Sequence, residues 1–202
     1  LRAGAETRYR VNPSEYYLPD LVAIYSKQGR RVETVKVDNL SEIQGINSRA
    51  ELAAVSRAVR QTKNTELMAA GVTIEDPATT YIDPDVRVGA ETVIRPGVTL
   101  ERGTVVGERC EIQGGVRIVA STIGDDVTLN AGSFIQCHSQ EDYVFKSDRT
   151  TVGSGCTIGV GAFVHYGVRM GDRSVLAPDS FLMKGEEIPP RARWGGNPAR
   201  EM

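Results

Sequence analysis

The chain has few aromatic residues and no long apolar run. Phe, Trp and Tyr together make up 6% of its 202 residues, whereas it contains 21 glycines. A wide globular core needs more aromatic bulk, so this composition favours a narrow and repetitive core. No apolar run reaches the roughly 20 residues that span a membrane, and no signal peptide is visible. We therefore expect no membrane partner.

The cysteines and the balance of charge exclude further classes. Cys110, Cys137 and Cys156 form no CxxC pair, so no metal site is expected. Their odd number and wide spacing indicate reduced thiols in a cytoplasmic protein. The 24 basic and 26 acidic residues give a formal net charge of −2. That balance gives no reason to expect a nucleic acid or an anionic membrane as partner.

The first seventy residues show helical signals. Residues 15–28 predict a short helix, and residues 31–37 alternate enough to predict a strand. Ser48 and Glu51 form a capping-box sequence, so a second helix is predicted to begin there and to stop at Gly71. Its apolar face consists of Leu52, Val55 and Val59.

After the second helix, an aliphatic residue recurs every six positions, with one residue dropped before Ile123 and a longer break after Ile135. A mostly small residue lies two positions before each aliphatic residue. The aliphatic series is Ile82, Val88, Ile94, Leu100, Val106, Ile112, Ile118, Ile123, Leu129, Ile135, Val152, Ile158, Val164, Met170, Leu176 and Leu182. Glycine often follows it, at Gly89, Gly107, Gly124, Gly153, Gly159 and Gly171.

This period predicts an all-β solenoid, namely a left-handed parallel β-helix of hexapeptide repeats. Each unit supplies one short strand and one tight corner, and three units close one triangular coil. The sixteen units amount to about five coils, preceded by an N-terminal α-helical segment. The glycines and Asn130 are predicted to occupy corner positions that need a positive φ.

One interruption breaks the repeat. Ile135 and Val152 are 17 residues apart where the period requires 6, so 11 residues are extra. We expect residues 138–149 to leave the prism as a loop, where solenoids often carry their binding function.

Residues 15 to about 130 resemble the bacterial bifunctional enzyme N-acetylglucosamine-1-phosphate uridyltransferase/glucosamine-1-phosphate acetyltransferase. The matching stretches are EYYLPDLVAIY (15–25), EIQGINSRAEL (42–52) and ELMAAGVTIEDPATTYIDPDVRVGAETVIRPGV (66–98). The family's nucleotide-binding core has no counterpart in this chain, and of its Mg²⁺–nucleotide ligands only Asn47 matches. A single oxygen donor cannot hold Mg²⁺, so uridyltransferase activity is not expected.

Residues 137–202 resemble a second group, the hexapeptide-repeat acetyltransferases of the maltose and galactoside type. The shared order is a coil ending in His138, a loop, two further coils and a tail with the GGNPAR element. Similar tails end some peptide synthetase-like proteins. The two resemblances meet near residues 130–137, so a chimera, natural or engineered, is one interpretation. Both resemblances imply a homotrimer with ligand sites between neighbouring prisms.

These resemblances imply three segments. Residues 1–71 are a helical segment, the remnant of a uridyltransferase domain plus a connecting helix. Residues 72–190 are the β-helix with its insertion, and residues 191–202 are a closing tail. Because the chain begins at Leu1, a fragment of a longer protein is also an expectation.

The second resemblance implies acyl transfer from acetyl-CoA, with His138 as general base. Histidine changes charge near neutral pH, which suits that role, but a histidine that anchors the loop is an equal alternative. A Cys137–His138 pair is not expected, because adjacent strand residues point to opposite faces.

The remaining candidates would bind the two substrates. For CoA these are Lys184, Arg193, Asn197 and Pro198, and for the acceptor they are Glu141, Tyr143 and His165. Each has a structural alternative: Glu141 and Lys184 as solvated charges, Tyr143 as a packing residue, and His165 as part of a trimer interface.

Three functions follow. The first is a CoA-dependent acyltransferase that acetylates an amino sugar or a related hydroxyl or amine acceptor. The second is a non-catalytic trimeric scaffold. The third is an inactive fragment or chimera of the bifunctional cell-wall precursor enzyme. Fold alone does not decide among them.

Overall fold

The computed structural model of this chain describes residues 18–37 and 45–202. Two compact units divide it, Leu1–Gly45 and Ile46–Met202. In the first unit, helix α1 spans Asp20–Lys27, inside the predicted 15–28, whose first three residues lie outside the described part. The strand predicted over 31–37 is wrong, because these residues pair with no strand in the described part of the chain. A β-strand needs a partner for its backbone groups.

Helix α2 opens the second unit and spans Arg49–Ala69, with the predicted capping box at its start. The Ser48 hydroxyl accepts the N–H of Glu51 at 3.1 Å, and the Glu51 carboxylate accepts the N–H of Ser48 at 3.0 Å. Both bonds satisfy donors that a helix start leaves unpaired.

The C-terminal half of α2 covers the open end of the first coil. Leu67 is buried in the core, and the buried Asn64 amide donates to two backbone carbonyls at 3.1 and 3.2 Å. The apolar face predicted at Leu52 and Val59 is half exposed, at 50% and 45%. The helix therefore packs through residues that its apolar period did not single out.

The described part of the chain forms 22 short strands, of which all but β12, β13 and β22 build the coils, three to a coil. In chain order they are β1 (Thr73–Ile74), β2 (Tyr81–Ile82), β3 (Arg87–Val88), β4 (Val93–Ile94), β5 (Thr99–Glu101), β6 (Val105–Val106), β7 (Glu111–Ile112), β8 (Arg117–Val119), β9 (Thr122–Ile123), β10 (Thr128–Leu129), β11 (Phe134–Ile135), β12 (His138–Glu141), β13 (Val144–Ser147), β14 (Thr151–Val152), β15 (Thr157–Ile158), β16 (Phe163–Val164), β17 (Arg169–Met170), β18 (Val175–Leu176), β19 (Phe181–Leu182), β20 (Glu187–Ile188), β21 (Arg193–Gly196) and β22 (Ala199–Glu201).

Three sheets form the faces of the prism. Face A contains β1, β4, β7, β10, β15, β18 and β21, with β22 added at its edge. Face B contains β2, β5, β8, β11, β16 and β19. Face C contains β3, β6, β9, β14, β17 and β20. Each coil strand pairs in parallel with the equivalent strand of the next coil, as Ile94 does with Ile112. The predicted parallel β-helix of hexapeptide repeats is confirmed.

The structure has six complete coils and the first strand of a seventh, rather than about five. The sixteen units counted in the sequence omit Ile74, Ile188 and Trp194, and 16 + 3 gives the 19 strands of six coils plus one. Ile74 follows the helix directly, and Trp194 interrupts the aliphatic series. Two of the three omitted units are therefore masked by neighbouring features, whereas Ile188 continues the six-residue period after Leu182.

The core is a column of aliphatic side chains down the prism axis. Ile94, Ile112, Leu129 and Ile158 are each 0% exposed. The small residues two positions earlier also point inwards, where the Thr92 hydroxyl donates to the Gly107 carbonyl at 2.9 Å. Cys110 and Cys156 lie buried among them, and burial raises the pKa of both thiols. They are core residues, as the pattern predicted.

The glycines that follow the aliphatic residues have a different role from the predicted one. None of the six has a positive φ, and neither does Asn130. A Cβ on Gly107 would instead lie 2.6 Å from the carbonyl carbon of Gly124 and 2.7 Å from the nitrogen of Asp125. Successive coils approach too closely at this corner for any side chain. The positive φ angles occur two residues later, for example at Asp126 (57°).

The C-terminal tail folds back as an antiparallel hairpin of β21 and β22. Trp194 pairs with Leu176 of the previous coil and is partly buried against the core, while Ala199 is fully buried. The tail thus covers the last coil, as expected for a solenoid end. No helix in the described ranges is long and apolar enough to cross a membrane.

Candidate active site

The insertion is a β-hairpin at the corner between faces B and C. Strands β12 and β13 pair in antiparallel register from His138–Ser147 to Glu141–Val144. Asp142 and Tyr143 form the turn, with φ of 45° and 66°. Two residues with positive φ match the right-handed twist of a tight hairpin. The hairpin spans residues 138–147, within the 138–149 expected to form a loop.

The hairpin presents two chemically different faces, because side chains alternate along each strand. On one face the Glu141 carboxylate accepts the Ser139 hydroxyl at 3.0 Å and lies 3.5 Å from Lys146 Nζ. On the other face the His138 ring stacks on Phe145, with centroids 5.1 Å apart. The hairpin thus separates a carboxylate face from an imidazole face.

The carboxylate face is held against the C-terminal coils by an ion pair. Lys184 Nζ lies 3.1 Å from Glu141 Oε2, and the same Nζ lies 3.4 Å from Oε1. The hydrogen bonds from Lys184 and Ser139 lower the pKa of Glu141 to about 2. The Glu141 carboxylate in turn raises the pKa of Lys184, and the Tyr166 hydroxyl adds to that shift. Glu141, Lys184 and Tyr166 thus connect the hairpin to the last two coils.

His165 lies one coil below this ion pair, at the end of face B. Its Nδ1 accepts the backbone N–H of Tyr166 at 2.9 Å and lies 3.4 Å from the amide nitrogen of Gln136. Because Nδ1 is an acceptor, the neutral ring carries its proton on Nε2. Burial lowers the pKa of His165, although Glu141 acts in the opposite direction. Burial thus favours the neutral imidazole, which can donate a hydrogen bond from Nε2.

Cys137 and His138 are in contact, which corrects the expectation that they would not pair. The Cys137 Sγ lies 3.5 Å from His138 Nδ1. Cys137 is the corner residue just before β12 begins, so the alternation of a regular strand does not apply to it. Burial raises the pKa of the Cys137 thiol, which favours the thiol over the nucleophilic thiolate.

An aromatic ladder runs down the outside of face B beside His165. Phe163 stacks parallel to Phe181 with centroids 4.6 Å apart, and it meets Phe134 edge-on at 5.2 Å. The His165 ring contacts both Phe163 and Phe181, at 5.7 and 6.1 Å between centroids. This ladder was not predicted from the sequence. Its signal was a Phe directly before the aliphatic residue in the last three units of face B.

The structure brings some of the predicted site residues together and leaves others apart. Glu141, Lys184 and His165 form one cluster, and His138 lies on the opposite face of the same hairpin. Tyr143 is at the tip of the turn and fully exposed. Arg193 lies on face A, and Asn197–Pro198, a cis peptide, joins β21 to β22. Within the described residues, no hydrogen bond or ion pair links Arg193, Asn197 or Pro198 to the cluster.

Removing the ion pair should loosen the hairpin. In Lys184→Met we expect the β12 and β13 amides to exchange faster than in the wild type at neutral pH, because Glu141 loses its closest cation. The pKa of Glu141 lies below its usual value of about 4.3, so the pair contributes above that pH. Its contribution disappears as the pH falls through about 2.

Arg200→Met is the matched control for amide hydrogen exchange. It removes an exposed ion pair with Glu186, 3.2 Å long, in the last complete coil. The Arg200 variant should leave hairpin protection unchanged. Equal protection in wild type and Lys184→Met would show that the ion pair does not hold the hairpin.

Comparison with known proteins agrees with this architecture. Residues 149–177 match the family described as "Hexapeptide repeat of succinyl-transferase". The "Bifunctional protein GlmU" of Carboxydothermus hydrogenoformans is 35% identical over 175 residues, which cover 87% of this chain and 37% of that protein. The GlmU protein of Trichlorobacter lovleyi is 44% identical over 122 residues, covering 60% of this chain and 26% of its own length. The chain thus spans about a third of the length of these relatives.

Solved structures share the fold at low identity. A mutant of AntD, an N-acyltransferase from Bacillus cereus, in complex with dTDP and coenzyme A gives a TM-score of 0.61 at 12% identity, over 68% of this chain and 87% of that one. The acetyltransferase domain of PglB from Neisseria gonorrhoeae in complex with acetyl coenzyme A gives 0.56 at 16% identity, over 73% and 67%.

The sequence match to the bifunctional protein continues through residues 130–137, where the resemblance changes. An alignment that covers 87% of the chain extends past this point, and the hexapeptide match lies wholly beyond it. The comparisons confirm the resemblance to the bifunctional enzyme and to hexapeptide-repeat proteins.

Proposed function

We propose that this chain transfers an acyl group from an acyl-CoA thioester to the amine or hydroxyl group of a sugar-type acceptor. Acetyl-CoA and amino sugars are the first substrates to test, since the relatives include a bifunctional protein GlmU and the fold neighbours include acyltransferases crystallised with coenzyme A or acetyl coenzyme A. Uridyl transfer is not part of the proposal.

One observation carries it. The chain has only two histidines, 27 residues apart, and both lie at the corner between faces B and C. Gln136 and His165 occupy equivalent positions in successive coils, since Ile135 pairs with Val164, and His138 follows two residues after Gln136. Two imidazoles at one corner beside an inserted hairpin are typical of a site that transfers protons.

The proposed chemistry divides the two histidines by their hydrogen bonds. The acceptor nitrogen or oxygen attacks the thioester carbonyl, forming the new C–N or C–O bond as the C–S bond breaks. His138 takes the proton of the attacking group and returns it to the departing CoA sulfur. Its Nδ1 is at the Cys137 thiol, which leaves Nε2 for this role. His165, on the other side of the hairpin, is proposed to donate through Nε2–H to the acceptor substrate, and Glu141 to hold the hairpin against the C-terminal coils through Lys184.

CoA binding is proposed for Lys184, Arg193, Asn197 and Pro198. Lys184 has a partner in Glu141, so a CoA phosphate would have to share or replace that carboxylate. Arg193 is exposed and forms no ion pair with any described residue. Its guanidinium is therefore free to meet a phosphate. Tyr143, exposed at the hairpin tip, is proposed to contact the acceptor.

We also propose a homotrimer, supported by the aromatic ladder on face B. Phe134, Phe163 and Phe181 point outwards from the prism, since the residue after each one points into the core. All three rings are only partly buried, and an outward row of aromatic side chains on a sheet face is typical of an interface. Sedimentation equilibrium at micromolar concentration should give three times the mass of 21.9 kDa. A monomer would rule the trimer out.

The predicted cytoplasmic location rests on the thiols. Cys110, Cys137 and Cys156 are all free and buried, as expected for a protein from a reducing compartment.

A non-catalytic scaffold is the second candidate, and one contact favours it. The His138 ring is stacked on Phe145 and touches Cys137, so the residue also fits a role in anchoring the hairpin. One assay distinguishes the acyltransferase from the scaffold.

The deciding assay is release of free CoA thiol from acetyl-CoA, followed with and without an amino sugar. Acceptor-dependent release is the expected result. If acetyl-CoA binds but no amino sugar or related amine stimulates release, the scaffold is favoured and the acyltransferase is not.

A further inference from the structure

A column of charged residues follows the corner between faces C and A. Six residues occupy the same corner position in successive coils, each with a left-handed φ between 54° and 69°. They are Glu91, Arg109, Asp126, Gly155, Arg173 and Arg191. Successive coils are about 4.8 Å apart, so neighbouring members of the column interact directly.

The column is paired in its middle and unpaired at its C-terminal end. Arg109 and Asp126 form a two-point ion pair, with N–O distances of 2.8 and 2.9 Å. Gly155 then leaves a gap. Beyond it, Arg173 and Arg191 are adjacent like charges, and neither guanidinium has a hydrogen bond or ion pair with any described residue. Two exposed and unpaired guanidinium groups in successive coils suit an anion that contacts both.

A groove of about 580 Å³ lies at this gap, lined by Ser154, Gly155, Asp172, Arg173 and Arg191 among others. The Ser154 oxygen accepts the N–H of Asp125 at 3.1 Å, which leaves its hydroxyl proton available to a ligand. One Asp172 oxygen accepts the N–H of Ser154 at 2.9 Å, and the other can accept a hydrogen bond from a ligand. The groove therefore offers two guanidinium groups, one hydroxyl donor and one carboxylate acceptor.

We propose that this groove binds a phosphate group. Two arginines give planar, two-point recognition of phosphate oxygens. Asp126 is paired with Arg109, which also holds Glu108, so Arg173 and Arg191 are, among the described residues, the unpaired cations of the groove and suit an anion. The Asp172 carboxylate selects an anion that carries a hydroxyl, such as a phosphate with one P–OH. The Arg173 side chain lies over Gly155, with its Cγ 3.2 Å from the position of a Cβ there.

Titration of the full chain with inorganic phosphate, by calorimetry, tests the site. We expect saturable binding of one phosphate per chain. Arg173→Gln and Arg191→Gln should each weaken it about 10-fold or more, because each loses one charge-assisted group. Arg87→Gln is the matched control, since Arg87 is exposed on face C and forms no ion pair with the described residues. It should leave phosphate affinity unchanged.

Two results would overturn the proposal. One is a wild-type titration that does not saturate. The other is equal weakening by Arg87→Gln, which would reduce the effect to net charge. Because all three arginines are exposed, unchanged thermal midpoints should confirm that the variants fold.

The same variants identify the source of the phosphate, and the site itself does not depend on acyl transfer. If Arg173→Gln weakens CoA but not dephospho-CoA, which lacks the 3′-phosphate, the groove holds that phosphate of CoA. If Arg173→Gln weakens the binding of inorganic phosphate while both forms of CoA bind as before, the groove holds a free phosphate or the phosphate of another ligand. Both outcomes support a phosphate site.

Discussion

His138→Ala is expected to lower the rate of acceptor-dependent acyl transfer by about 100- to 10,000-fold, the range typical of a lost general base. Without the imidazole, no other described side chain on that face of the hairpin can take the acceptor proton. Acetyl-CoA affinity should change little, since the proposed CoA residues lie elsewhere. The effect should therefore fall on kcat and leave acetyl-CoA binding by calorimetry intact.

Two controls separate catalysis from anchoring. Cys137→Ser keeps a small polar group beside Nδ1 and should retain most activity. Phe145→Leu removes the ring that stacks on His138 and should loosen the imidazole without removing the base. If His138→Ala transfers acetyl groups as fast as the wild type, His138 is only an anchor for the hairpin.

Gly107→Ala is expected to destabilise the prism by about 3 kcal/mol or more, at the upper end of overpacking effects. Its new methyl group would meet the backbone of Gly124 and Asp125 at 2.6 and 2.7 Å. Backbone cannot move aside as a flexible side chain can, so two coils would have to separate. Urea unfolding, followed by circular dichroism, should show a much lower midpoint.

Gly132→Ala is the control for this prediction. Gly132 has a φ of +68° but no atom within 4 Å of its missing Cβ. Alanine there incurs only the left-handed backbone conformation, about 1 to 2 kcal/mol. If Gly132→Ala destabilised the chain as much as Gly107→Ala, close coil packing would not be the reason for the glycines that follow the aliphatic residues.

The fold could be predicted because side-chain volume repeats along the sequence with a period of six residues. Each coil places an aliphatic residue on the axis and a small residue two positions earlier, so residues such as Ile112 and Cys110 mark the coils without any long-range information. The extra coils were missed where another signal overlapped, at Ile74 beside the helix end and at Trp194. The reason for the glycines was missed because coil-to-coil approach is not encoded in a single unit.

The candidate site was only partly predictable, because the grouping of its residues is not encoded in a single repeat unit. The broken period located the insertion, and His138, Glu141, Lys184 and His165 were singled out from their types and positions. Their grouping depends on the hairpin. Its turn residues Asp142 and Tyr143 are not a typical tight-turn pair, so no local signal placed Glu141 on the face opposite His138.

Binding of acetyl-CoA to the purified chain, measured by calorimetry, tests the central claim most directly. We expect saturable binding of about one acetyl-CoA per chain, weakened in Arg193→Gln and retained in His138→Ala. Absence of binding at millimolar acetyl-CoA would contradict the proposed function, and the β-helix would then be a scaffold rather than an acyltransferase.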